Sequence, residues 1–265
     1  MPPPSSEEPL HRAAAEGFAV DAERYARGRP EYPPAVDAWL RDELGLRADR
    51  QVLELGAGTG KFTSKLSNTG AAVIAVEPVD AMRAQFAVYC SNVSLLDGTA
   101  EAIPAADASV DAVVCAQSFH WFANEASLRE IHRVLKPGGV LGLLWNVRDE
   151  SVPWVAELTE ILEFYSGDAP RYWTQGWRRV FETKVARGFS PFQERRFPHV
   201  HVGPVRQVIV DRTLSVSFIA ALPHRDQEQV TAQVHALIAR TSELASNGEV
   251  SFPYETAIFW CDKLP

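Results

Sequence analysis

The sequence predicts an α/β protein organised around one doubly wound parallel sheet with helices on both faces, and three observations carry the prediction. Short apolar runs alternate with helix-spaced segments between residues 50 and 146, the pattern of strands laid side by side by crossover helices. A turn with three glycines in five residues, GAGTG at 56–60, directly follows the first run, where such sheets carry their ligand loop. The length of 265 residues, 46% of them hydrophobic and 23% charged, suits one main core, and no internal repeat or long linker divides the chain.

The strands follow in order as QVLEL (51–55), AAVIAVE (71–77), NVSLL (92–96), VDAVVCA (110–116) and VLGLLWN (140–146). Residues 79–89 have helical character. SLREIHRVL places Leu128, Ile131 and Leu135 at helical spacing ahead of Lys136-Pro137-Gly138-Gly139, a helix stop that reads as a turn into the fifth strand. After Asn146 the pattern changes. Val155, Leu158, Ile161, Leu162 and Tyr165 share one helical face, and an aromatic and basic stretch without clean period comes next. FPHVHV (197–202) alternates like a strand, Val230, Val234, Leu237 and Ile238 mark an amphipathic helix, and YETAIFW (254–260) is the seventh strand. The expected organisation is a disordered Pro/Ser/Glu-rich tail over 1–20, N-terminal lid helices over 21–49, a ligand-binding core over 50–146, and a lid insertion with the last two strands over 147–265.

A net charge of −8 disfavours phosphate backbones, so nucleic acid is not an expected partner. Cys90, Cys115 and Cys261 are odd in number and widely spaced, which reads as reduced thiols in a cytoplasmic setting, with no metal site expected. No apolar run approaches the roughly 18 residues of a membrane span.

Gly56, Gly58 and Gly60 would each let backbone approach a ligand where a Cβ would collide; a merely tight turn would need fewer glycines. The spacing is G-x-G-x-G, not the G-x-G-x-x-G of a nicotinamide site, and Glu54 stands two residues ahead of it. A carboxylate there repels pyrophosphate and suits a ligand carrying ammonium and sulfonium cations, as S-adenosylmethionine does. Glu77 closes the second strand 23 positions later, where a carboxylate can accept both ribose hydroxyls; the alternative is a solvated strand-end charge.

With these residues in place the chain resembles the class I S-adenosylmethionine-dependent methyltransferases. The resemblance rests on ELGAGTG (54–60), VEPVDAM (76–82), GTAEAIP (98–104), VDAVVCAQSFHWF (110–122) and RVLKPGG (133–139), whose order suits the type 11 methyltransferase domain. YARGRPEYP (25–33), FHWF and DRTLSVSFIAALP (211–223) are similar to the trans-aconitate methyltransferase-like group. The resemblance implies a Rossmann-like seven-stranded sheet, mostly parallel with the last strand antiparallel, and helical lid segments. It implies that Glu54, Gly56, Gly58 and Gly60 line the methionine end of S-adenosylmethionine, that Glu77 holds the ribose, that Pro78 and Met82 also bind the cofactor, that Gly98, Thr99 and Ala100 lie beside adenine, and that the Gln117 backbone faces the ammonium. Thr99 replaces the Asp of many relatives; its hydroxyl can still accept from the adenine amine, and Asp97 is a substitute.

Methyl transfer from a sulfonium is an in-line displacement that needs alignment and dryness; a carboxylate acceptor needs no base, whereas a hydroxyl does. His120 stands where the acceptor should meet the methyl group and is the catalytic candidate, its alternative being a histidine that only bonds backbone. His224 is a weaker base candidate that also reads as a helix start. Tyr25 and Arg29 belong to the expected N-terminal lid, with Pro30 and Pro33 ending local helices. Phe119, Trp121, Trp145, Asn146, Trp173 and Ser217 complete the expected acceptor pocket, with Ser217 and Ser215 equally readable as caps. Between Arg171 and Arg196 seven basic residues face two acidic ones, a set suited to clamping a carboxylate or to forming the solvated face of a lid helix. The expectation is O-methylation of a small carboxylate or hydroxyl compound by a monomer or homodimer, without membrane partners. Nitrogen or carbon methylation, a non-catalytic cofactor-binding module and a nicotinamide oxidoreductase are the alternatives.

Overall fold

A computed structural model describes residues 29–168, 170–245 and 248–265 of the chain. The expected tail and Tyr25 lie outside the described residues. Seven strands form one sheet: β1 Gln51–Leu55, β2 Ala72–Val76, β3 Ser94–Leu96, β4 Val110–Ala116, β5 Leu135–Arg148, β6 Gln193–Pro204 and β7 Glu249–Asp262. Their order is β3-β2-β1-β4-β5-β7-β6, and β1 to β5 pair in parallel. β7 runs antiparallel to both of its neighbours, so it alone is reversed.

The central strands read as unbroken apolar runs because both faces are covered. On one face Leu53, Val113, Leu141 and Phe259 pack with Leu128 and Ile131 of helix α4 (Glu125–Val134). On the other, Val52, Ala112, Leu144 and Ile258 pack with Val36, Trp39 and Leu40 of helix α1 (Pro34–Asp42). The shorter helices α2 (Thr63–Ser67) and α3 (Asp80–Tyr89) follow β1 and β2. A third apolar cluster builds the lid: Val155, Leu158 and Leu162 of α5 (Pro153–Phe164), Val230, Val234 and Leu237 of α6 (His224–Arg240), and Phe252 and Tyr254 at the start of β7. β7 therefore joins the sheet to its lid.

Four expectations are corrected. Lys136-Pro137-Gly138-Gly139 is no turn between elements, because β5 begins at Leu135 and these residues bulge from it, the register jumping from Val110↔Leu135 to Ala112↔Val140. Pro33 ends no helix; it is the extended N-cap of α1, with Pro34 at the first helical position, where proline's missing N–H costs nothing. His224 opens α6 and is exposed against Glu228, which removes it from any buried chemistry. The aromatic and basic stretch makes no lid helix: 3₁₀ turns at Gly176–Glu182 and Val185–Gly188 bury Trp177 and Val180 in the core. Among the described residues no helix is long and apolar enough to cross a membrane.

Candidate active site

The glycine turn leaves β1 at its carboxyl end and is tied to β2, Gly56 N–H and Ala57 N–H both donating to the Val76 carbonyl at 2.9 and 3.2 Å. The three glycines serve different ends. A Cβ on Gly56 would lie 2.7 Å from Ser118 Cβ, and one on Gly60 2.7 Å from Cys90 Sγ, so the protein itself, not a ligand, excludes side chains there. Gly58 is the exception: its Cβ would meet nothing within 4 Å, while its φ of +59° strains any other residue. It turns bare backbone towards an open cleft.

That cleft encloses about 510 Å³ and is lined by Glu54, Gly56, Gly58 and Gln117 among others. Glu54 is 1% exposed, the Thr63 hydroxyl donating to its Oε2 at 2.6 Å. Burial pushes its carboxyl up to about 8, with Glu77 adding to the rise. Glu77 is buried too, but Gly58 N–H donates to one carboxylate oxygen at 2.8 Å and Val79 N–H to the other at 3.0 Å. Burial raises its pKa and those two amides oppose the rise. Among the described residues these two acids accept from a hydroxyl and two amides, a setting that a cationic ligand would complete.

Gln117 follows β4 with φ +61°, its N–H donating to Leu144 carbonyl at 2.9 Å. A non-glycine residue held in the left-handed region marks a site where surrounding structure dictates the backbone. Gln117, Arg29, Asn146 and Arg212 line this cleft and also a second, larger one of about 760 Å³. The second is walled by His120, Trp121, Trp145, Tyr172, Trp173, Ser217 and Phe218.

Four arginines reach the second cleft, Arg29, Arg148, Arg171 and Arg212, against one acid, Glu150. Arg148 Nε and Arg212 Nε and Nη1 are buried donors with no partner among the described residues. Arg171 bonds the Ser166 carbonyl, and its guanidinium lies 3.9 Å from the Phe218 ring centre. Burial, then the mutual repulsion of Arg148 with Arg212 and of Arg171 with Arg148, brings both Arg148 and Arg171 down to about 10. The cleft thus concentrates cation in a protein of net charge −8.

His120 lies in a 3₁₀ turn, Phe119–Trp121, after β4. Trp145 Nε1–H donates to its Nδ1 at 3.1 Å, and burial, with Arg171 and Arg29 adding, lowers its pKa to about 3. The residues 29–33 strap the two clefts: Arg29 donates to Ser215 carbonyl at 3.2 Å, Lys61 pairs with Glu31 at 2.7 Å, and Asn146 Nδ2 donates to Glu31 carbonyl at 3.1 Å. Asn146 Oδ1 accepts from Thr256 at 2.6 Å, so its amide is a strut.

The comparisons with known proteins agree with this architecture. A family model described as a methyltransferase domain matches residues 53–143. An uncharacterized methyltransferase-like protein of Schizosaccharomyces pombe is 38% identical over 255 residues, covering 94% of this chain and 96% of its own length. The chain belongs to the class I S-adenosylmethionine-dependent methyltransferases. Solved structures repeat the fold: a candidate type II methyltransferase from Anaeromyxobacter dehalogenans has TM-score 0.63 at 22% identity, covering 89% of this chain and 99% of its own. Phosphoethanolamine N-methyltransferase 2 of Haemonchus contortus, solved with phosphomonomethylethanolamine and S-adenosylhomocysteine, has TM-score 0.55 at 14% identity, covering 94% and 58%.

Within this methyltransferase the expected site residues divide. Arg29, Gln117, His120, Trp121, Trp145, Asn146, Trp173 and Ser217 converge on the larger cleft, and Glu54, Gly56 and Gly58 on the smaller. Glu77 reaches the smaller cleft through Gly58 N–H. Pro78, Met82, Gly98, Thr99 and Ala100 line neither; they follow β2 and β3, with Met82 packed on Val79. Asp97 pairs with Arg83 at 2.9 Å, which ties it away from a substitute role. Phe119 is 0% exposed among Phe122, Trp177 and Phe181, so it is core and no pocket wall.

Of the seven basic residues expected to clamp an anion, Arg171 alone lines the cleft. Arg178 and Arg196 pair with Glu194, and Arg195 with Glu43, while Arg179, Lys184 and Arg187 are exposed. The cations that matter and were not anticipated are Arg148 at the end of β5 and Arg212 in the DRTLS stretch. A charge two residues past an apolar strand was the available signal for Arg148; for Arg212 it was its place inside DRTLSVSFIAALP, a stretch already set apart by its resemblance.

Proposed function

We propose that this methyltransferase binds S-adenosylmethionine in the smaller cleft and moves its methyl group to a carboxylate oxygen of a small molecule held in the larger one. The observation that carries the acceptor assignment is the set of four arginines around one cleft, three of their nitrogen donors buried and unpartnered. Leaving a buried charged donor unsatisfied costs about 1–3 kcal/mol or more, and an anionic acceptor is the group that would satisfy it. The resemblance of the flanking motifs to the trans-aconitate methyltransferase-like group supports the same substrate class.

The cofactor's residues fit it. Glu54 and Glu77 supply the acids that a sulfonium and ammonium ligand and its ribose require, and Gly58 supplies a backbone face without a side chain. When bound, the cofactor supplies an electrophilic methyl carbon. The chain's own residues do the rest: Gln117 and Asn146 stand between the two clefts, the strap at 29–33 shields them from water, and the arginines orient the acceptor. A carboxylate is already ionised near neutral pH, so the buried, neutral imidazole of His120 has no proton to remove.

Incubation with methyl-labelled S-adenosylmethionine and a panel of small mono-, di- and tricarboxylic acids, followed by brief alkaline treatment, tests this reading. Label released as volatile methanol identifies a methyl ester. Label that survives alkali on the product would place transfer on nitrogen, carbon or a hydroxyl and overturn the carboxylate assignment.

A further inference from the structure

The imidazole of His120 is placed by a donor that cannot reverse its role. An indole N–H donates and never accepts, so the 3.1 Å contact from Trp145 Nε1 fixes His120 Nδ1 as the acceptor. A neutral ring with an unprotonated Nδ1 carries its proton on Nε2. The ring lines the acceptor cleft beside Trp121, with ring centres 5.1 Å apart, and Trp145 itself is 1% exposed and locked among Tyr172, Trp177 and Phe259. The tautomer is therefore set by the core, not by solvent.

We infer that His120 is a fixed-tautomer hydrogen-bond donor whose Nε2–H binds the anionic acceptor, Trp145 being the positioning residue that holds the tautomer. This rests on the carboxylate reading above. Every other charged group facing the ring reinforces a neutral donor. Arg171 from the lid segment and Arg29 from the strap both oppose protonation, Arg148 and Arg212 line the same cleft, and Glu150, its one acid, is exposed at the rim. The ring adds a directed donor to the guanidinium set without adding charge. It also has no free lone pair to take a proton: Nδ1 is spent on Trp145 and Nε2 is protonated. Acceptors that need deprotonation, phenols and alcohols, meet no base at this position.

Nitrogen-15 resonances of the imidazoles in the full-length protein, with His120 assigned by comparison with His120→Gln, read the tautomer directly. The expected result is a pyrrole-type Nε2 and a pyridine-type Nδ1 that do not titrate between pH 5 and 9, with the Nδ1 signal moving in Trp145→Phe. A protonated Nδ1, or titration between pH 6 and 8, would overturn the inference. Succinate then serves as the acceptor probe in calorimetry. Its binding should shift the Nε2 signal, fall about tenfold or more in His120→Leu, and stay within about threefold in His120→Gln, whose amide can donate but cannot act as a base. Equal loss in Gln and Leu variants, or succinate binding that leaves the Nε2 signal unmoved, would overturn the donor role. No succinate binding to the wild-type protein would instead remove the carboxylate reading and this role with it, while the resonances still report the tautomer.

Discussion

The two clefts of this methyltransferase meet at Arg29, Gln117, Asn146 and Arg212 yet are built in opposite ways. The smaller is built mainly from two strand ends: its turn and first carboxylate come from one stretch at the end of β1, its second from the end of β2, while Arg29, Lys61 and Arg212 also border it. The larger is basic and assembled: its four arginines come from the strap, the end of β5, the segment after α5 and the turn before Ser215. On the proposed reading donor and acceptor meet across these shared residues, one of them the strained Gln117. The glycine turn and its carboxylates belong to the sheet and can stay fixed, while the larger cleft can be rebuilt by altering lid segments.

The sharpest way to break the contrast is Arg148→Met. Acceptor turnover should fall by about two orders of magnitude or more, with cofactor affinity unchanged by calorimetry. Because the same change removes a partly buried guanidinium that Arg212 repels, its Nε without a partner among the described residues, the ligand-free protein should melt several degrees higher. A loss of both binding activities and of thermal stability would mean that Arg148 is structural.

Glu77→Ala is the complementary test on the local side. It removes the acceptor of two backbone amides and the ribose-side acid, and S-adenosylmethionine affinity should weaken about 10- to 100-fold, with succinate binding retained. Calorimetry with both ligands on one preparation separates the effects.

Glu54 gives a pH signature with two opposed trends. Its folded-state pKa of about 8 lies above the ordinary carboxyl value, so the folded protein holds the extra proton and its stability falls as pH rises from about 5 through 8. A cationic ligand needs the carboxylate, so S-adenosylmethionine affinity should rise over the same range, with proton release on binding below pH 8. Melting curves and titrations in buffers of different ionisation enthalpy read both trends, and Glu54→Gln should flatten both.

The smallest effect is expected where the sequence suggested a large one. Arg179 and Arg187 are exposed on 3₁₀ turns and Lys184 just ahead of the second, and their combined replacement by Gln should leave acceptor kinetics within about twofold. A larger loss would restore the basic stretch as a docking element.

The amino-acid sequence by itself determined the sheet, the glycine turn and its two carboxylates, because these depend on short-range pattern: apolar runs long enough to be covered on both faces, and a turn whose Gly58 must adopt φ +59°. It also singled out His120, Trp145 and Trp173, which line the larger cleft. It could not tell Phe119 from His120, adjacent in one turn, because which neighbour enters the core is decided by Trp177 and Phe181 from a distant segment. Only the tertiary structure decided which arginines matter and what His120 can do. Burial without a partner, as at Arg148 and Arg212, and the acceptance of one indole hydrogen bond from Trp145 are properties of contacts between residues 25 or more positions apart, and no local pattern encodes a contact's direction.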